Sequence, residues 1–149
     1  LILADGLSLA AEREPDAIID IATLTGAQVV ALGDDMGALF ATDDTLASDL
    51  LAASSAAGEP FWQLPLIDAY DTQLESDVAD LKNLGKPGSA GAVTAALFLR
   101  HFTNGAKWAH LDIAGPSRAD SAKGYYQRGA TAFGARTLLQ YLVTRSRQA

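Results

Sequence analysis

The stretch IIDIATLTG, Ile18 to Gly26, constrains the fold of this chain more than any other. Three isoleucines around Asp20 make a nearly continuous apolar run, the pattern of a strand buried on both faces. Thr23, Leu24 and Thr25 break the run, and Gly26 permits backbone angles and a closeness of approach that a Cβ forbids. Residues 26–32 then read as a short helix, with Val29, Val30 and Leu32 apolar and Gly33 as its stop. In an open α/β sheet ligands sit beyond the carboxyl ends of strands. The N–H groups at the start of a helix placed there favour an anion. The turn from Thr23 to Gly26 is therefore the first place to look for a ligand.

The remaining pattern alternates helix and strand. Residues 1–14 read as a helix that Pro15 ends, with Leu3, Leu7 and Ala10 or Ala11 on one face. Gly6 inside it marks either tight packing on a neighbour or close approach of a ligand. Residues 36–41 form a second apolar strand. Thr42 or Asp43 caps a helix running to about Ala57, with Leu46, Leu50 and Leu51 inward and Gly58 closing it. Pro60 and Pro65 make 59–66 irregular, with Phe61 and Trp62 as core plugs. A short helix over 68–75 and some strand character over 79–84 precede a Gly/Pro loop. Residues 89–102 are apolar nearly all round, as in a helix enclosed on several sides. Residues 108–113 form another buried strand, 118–129 a polar surface loop, and 131–145 a last helix. In that helix Phe133, Thr137, Leu138, Tyr141 and Leu142 face inward, and Arg145 and Arg147 suit the negative end of its dipole. Such alternation gives a layered α/β sheet with helices on both faces, in one domain without an internal boundary.

A net charge of −7 argues against a nucleic-acid surface, and no apolar run approaches a membrane span. The absence of cysteine removes disulfides and thiolate catalysis and fits a cytoplasmic setting. Asp20 and Asp112 sit inside apolar runs and must be paired or hydrogen-bonded. Bonds to nearby backbone are the simpler account, a direct catalytic role the sharper one. His101 and His110 share no metal-ligand spacing, and no His-Glu-x-x-His occurs. Asp34 and Asp35 lack calcium-loop spacing and read as a solvated turn. The segment around Ser89 fails both the nucleophile-elbow and the phosphate-loop patterns. Lys86, in a flexible loop before a helix, is the best candidate for a functional cation; the plain alternative is a solvent lysine.

Three motifs carry a family resemblance: Ile19 to Ala27 (IDIATLTGA), Asn83 to Lys86 followed by Ser89 to Ala92, and Trp108 to Gly115 (WAHLDIAG). Their order and spacing resemble the leucyl (cytosol) aminopeptidases over essentially the whole chain. The resemblance implies a three-layer α/β/α fold with a mixed, mostly parallel sheet, of which this chain is the second half of a larger catalytic domain. It implies peptide substrates with a free N-terminus, two divalent metals (Mn or Zn) that activate water, a bicarbonate general base, and homo-hexamers. In the family the metal ligands and a catalytic arginine come from Asn-Thr-Asp-Ala-Glu-Gly-Arg, which would lie just before Leu1. No catalytic or metal residue is therefore assigned here, and the isolated chain is expected to be inactive. Leu24 would offer backbone groups to the peptide and to bicarbonate. Thr23, Gly26, Ala114 and Ser117 would line the pocket for the N-terminal side chain, and Leu84 the pocket for the next residue. Ser117 stands where some relatives carry a larger apolar residue, which would widen the pocket. The alternatives are a non-enzymatic binding or scaffold protein on the same fold, and a small-ligand module using the Thr23 to Gly26 turn as an anion site.

Overall fold

The computed structural model describes residues 1–147. Among these the chain forms α1 (Ile2–Ala11), β1 (Ile18–Ala22), α2 (Gly26–Leu32), β2 (Gly37–Ala41), α3 (Asp44–Ala57) and β3 (Phe61–Gln63). A 3₁₀ helix (Asp68–Leu74), α4 (Gly91–Arg100), β4 (Trp108–Asp112), β5 (Arg118–Ala119), β6 (Gly129–Ala130) and α5 (Ala135–Ser146) follow. The main sheet has the order β1-β4-β2-β3. β1 runs parallel to β4, with Ile18 opposite Trp108 and Ala22 opposite Asp112. β3 runs parallel to β2, and β2 is antiparallel to β4. The sheet is thus mixed and mostly parallel.

Period-two alternation along the strands splits the core into two. Trp108, Ala38 and Phe40 face a cluster with Ala4 and Leu7 of α1 and Ala96, Leu97 and Leu99 of α4. Ala109, Leu111 and Leu39 face the other way, onto Leu46 and Leu50 of α3 and Tyr141 of α5. The sheet therefore lies between two helix layers, the three-layer α/β/α arrangement. All five residues of β4 are buried, its polar His110 and Asp112 included.

Several details differ from the sequence reading. α1 stops at Ala11 because Glu14 turns left-handed at φ 49° ahead of Pro15. A Cβ on Gly6 would meet nothing within 4 Å, so no close packing within this chain explains that glycine. Residues 61–63 are a strand rather than irregular, since Pro60 sits just outside the ladder and lends its carbonyl to Gly37 N–H at 3.0 Å. Phe61 is buried, but Trp62 alternates to the other side and is 61% exposed. Residues 79–84 form no strand: Lys82 N–H returns to Leu74 O at 2.9 Å, which ties the segment to the 3₁₀ helix instead. The polar loop after β4 contains the short β5–β6 pair. The last helix starts at Ala135, not Thr131, because Ala132 and Gly134 take φ 53° and 90°. Phe133 is buried ahead of the helix, and Leu142 is 62% exposed.

Candidate functional site

The chain leaves β1 through Thr23 and Leu24 and enters α2 at Gly26, as the sequence predicts. Thr25 caps α2: its Oγ1 accepts from Gln28 N–H at 3.0 Å and donates to Asp112 Oδ2 at 2.7 Å. Asp112, at the end of the neighbouring strand, is 1% exposed. Its Oδ1 accepts from Leu24 N–H at 3.1 Å, Ala114 N–H at 3.2 Å and, at the limit of a hydrogen bond, Thr25 N–H at 3.5 Å. One carboxylate therefore fixes both strand-end turns. Gln28, fully buried, adds a second stitch. Its Nε2 donates to Met36 O at 2.7 Å and its Oε1 accepts from Gly115 N–H at 2.7 Å. Gly115 lies against the Gly33 carbonyl so closely that a Cβ has no room.

Asp112 meets the expectation of a carboxylate bonded to nearby backbone. Asp20 is instead held by side chains, accepting from Trp108 Nε1 at 2.7 Å and contacting His110 Nδ1 at 2.5 Å. His110 Nε2 is buried and, among the described residues, has no hydrogen-bond partner. A tautomer with the proton on Nδ1 matches this, because it leaves a bare acceptor rather than an orphaned donor. His101 lies at the surface, 3.0 Å from Asp71. Asp35 is more than a solvated turn residue: Lys123 reaches across to both of its oxygens at 2.6 and 2.7 Å.

A cavity of about 510 Å³ opens beside the first turn and brings together Leu24, Gly26 and Leu84. Lys86 lines it as well, opposite Ala95 and Phe98 of α4. Nothing stands within 4 Å of a Cβ built on Gly26, so the space before it is open. Thr23 is exposed and outside this cavity. Ala114 lines a second cavity, of about 490 Å³, with Gly115, Lys123 and Tyr126. Ser117 lines neither; its hydroxyl turns back to Ala114 O at 3.2 Å. The six residues thus sit at one end of the sheet but not in one pocket.

Sequence reasoning missed a polar cluster that reaches the second cavity through Tyr126. Glu59, 1% exposed, accepts from Thr137 N–H at 2.8 Å and Oγ1 at 2.7 Å and pairs with Arg136 Nε at 3.2 Å. It caps α5 from a distance of 78 residues, which no local pattern encodes. Arg136 also donates to the hydroxyls of Tyr125 and Tyr126. Burial, then the hydrogen bond shared with Tyr125, pushes the Tyr126 phenol up to about 12. Burial works against the Arg136 charge, but Tyr125 and Glu59 outweigh it and raise its pKa.

The residues present do not fit a metal. Among the described residues, no three His, Asp or Glu side chains gather as a metal site would require. The three inward carboxylates, Asp20, Glu59 and Asp112, spend their oxygens on the bonds above. Of the backbone groups that bicarbonate would meet at Leu24, the N–H already donates to Asp112 Oδ1 at 3.1 Å.

Residues 1–139 match the family model described as cytosol aminopeptidase family, catalytic domain. The chain is 50% identical over 145 residues to a probable cytosol aminopeptidase of Synechococcus sp. (strain JA-3-3Ab), covering 97% of this chain and 28% of that protein. It is 52% identical over 143 residues to one of Prochlorococcus marinus (strain MIT 9312), covering 95% and 29%. Its fold matches a mutant tomato leucine aminopeptidase with a TM-score of 0.88 at 40% identity, covering 95% of this chain and 27% of that one. The chain therefore spans under a third of the length of these relatives.

Proposed function

Because this chain belongs to the cytosol aminopeptidase family, we propose that its parent protein is a metal-dependent leucyl aminopeptidase and that residues 1–149 form the peptide-binding part of its site. The observation that carries this reading is the paired turn at the ends of β1 and β4. Asp112 locks Leu24, Thr25 and Ala114 into one rigid unit facing open space. A binding wall held by a single buried group is preorganised, so it orders little on binding a peptide.

In this reading Leu24 presents its carbonyl to the substrate main chain, since its N–H is engaged. Thr23, Gly26, Ala114 and Ser117, which share an end of the sheet but not one cavity, are assigned to the N-terminal side chain, and Leu84 to the next residue. Small and apolar liners discriminate side chains weakly, about 1–3 kcal/mol per methylene, so the enzyme accepts a range of apolar N-terminal residues. In this reading the metal ligands come from outside residues 1–149 of the parent.

The test is hydrolysis of leucine amide by the full-length parent, stripped with a chelator and then supplied with Mn²⁺ or Zn²⁺. Turnover that returns only with metal is expected. Turnover unaffected by the chelator overturns the metal-dependent reading, and no turnover in any state favours a binding protein on the same fold.

A further inference from the structure

The cavity beside Leu24 has apolar walls, built by Leu24, Ala27, Leu84, Ala95, Phe98 and Leu99. Among the described residues that line it, Lys86 alone carries a charged side chain. Its loop is not the flexible one its composition implies. Lys86 N–H donates to Gln73 Oε1 at 2.9 Å, and its carbonyl accepts from Ser89 N–H at 3.2 Å. The adjacent Gly85 is pressed so close to α4 and the 3₁₀ helix that a Cβ would lie 2.9 Å from Thr94 and 3.0 Å from Gln73. The lysine backbone is thereby fixed at the cavity mouth. Its ammonium joins none of the ion pairs among the described residues, although the chain carries a net charge of −7. A cation left without a partner beside a low-dielectric wall attracts an anion more strongly than one in open water.

We propose that Lys86 makes this cavity selective for peptides that carry a carboxylate just beyond the residue being released. That carboxylate is either an acidic side chain on the second residue or the free C-terminus of a dipeptide. The inference rests on the aminopeptidase reading above and adds the charge class of the substrate to it. Removal of Lys86 leaves only the negative field of the chain, which disfavours such substrates.

The experiment uses the full-length parent with Mn²⁺ and four substrates: Leu-Glu-amide, Leu-Gln-amide, Leu-Ala and Leu-Ala-amide. Two ratios of kcat/KM are read, Leu-Glu-amide over Leu-Gln-amide and Leu-Ala over Leu-Ala-amide. At low salt at least one ratio is expected at about two to five, the range of an exposed ion pair. It falls as salt screens the pair, drops to one or below in Lys86→Gln and falls further in Lys86→Glu. The ratio that responds identifies the source of the carboxylate. Charge reversal and salt dependence are readouts that a merely structural lysine does not move. Ratios near one in the wild type, or unchanged through both variants while hydrolysis proceeds, overturn the proposal. Failure of the wild type to cleave any of the four overturns the aminopeptidase reading itself, and this inference with it.

Discussion

Asp112 gathers three N–H groups and one hydroxyl onto a side chain that is 1% exposed. Asn at this position keeps the acceptor oxygen for the N–H groups but puts an NH₂ in place of Oδ2, opposite the Thr25 hydroxyl. The Thr25 proton then loses its acceptor, and the N–H bonds lose the assistance of a full charge. We therefore expect Asp112→Asn to lower stability by roughly 2–3 kcal/mol, read as a lower midpoint in urea unfolding. A variant that unfolds with the wild-type midpoint would refute this account of the carboxylate. The sequence shows part of it: a charged residue within an apolar run must be bonded, and that holds for Asp20 as well. It does not show with what. Leu24 and Asp112 are 88 residues apart, and only parallel pairing of β1 with β4 brings them together. Lys86 reverses the case. Its type and position mark it as a candidate in the sequence, while the packing that fixes its loop depends on Gln73 and Thr94, which no local pattern connects to it.

Elements whose ends are set by neighbours in sequence are the ones composition reveals. α2 begins after a Thr cap and stops at Gly33, and α3 lies between Asp43 and Gly58, as their local chemistry dictates. β3 and the start of α5 were not legible, because a three-residue edge strand has too little pattern and the α5 cap comes from Glu59. The Asp43 cap carries a pH signature. Its Oδ1 accepts from Leu46 N–H at 2.8 Å, and Lys107 stands 3.3 Å from its other oxygen. The backbone bond from Leu46 first, then Lys107, lowers its pKa below the ordinary 3.8. A carboxylate with a depressed folded pKa stabilises the fold above its unfolded value, and that contribution is lost as pH falls through the folded value. Asp43→Asn retains a capping acceptor but cannot ionise. The wild type is expected to melt above Asp43→Asn at neutral pH, and the gap to close as pH drops below about 4. A gap that stays constant down to pH 2 would mean that charge at this cap contributes nothing.

At the scale of the whole molecule, alternation of helices with buried strands is enough to specify helices on both faces of a sheet. Strand order is not, because β4 inserts between β1 and β2 after a long excursion through α3, α4 and the 3₁₀ helix. That insertion matters for function. It sets the carboxyl ends of two parallel strands side by side, so the turns at Leu24 and Ala114 form one wall. It also occupies two inward acids, while a third, Glu59, is held by Thr137 and Arg136. Asp112 is committed to that wall and Asp20 to Trp108 and His110. Among the described residues no three acidic or histidine side chains gather as a metal site requires. The 149-residue chain on its own, folded as judged by circular dichroism, is therefore expected to show no hydrolysis of leucine amide with Mn²⁺ or Zn²⁺. Metal-dependent turnover by this chain would require Asp20 or Asp112 to release its present donors to a cation. In that event Asp112→Asn would abolish activity as well as weaken the fold, and the assignment of the wall to peptide binding alone would fall.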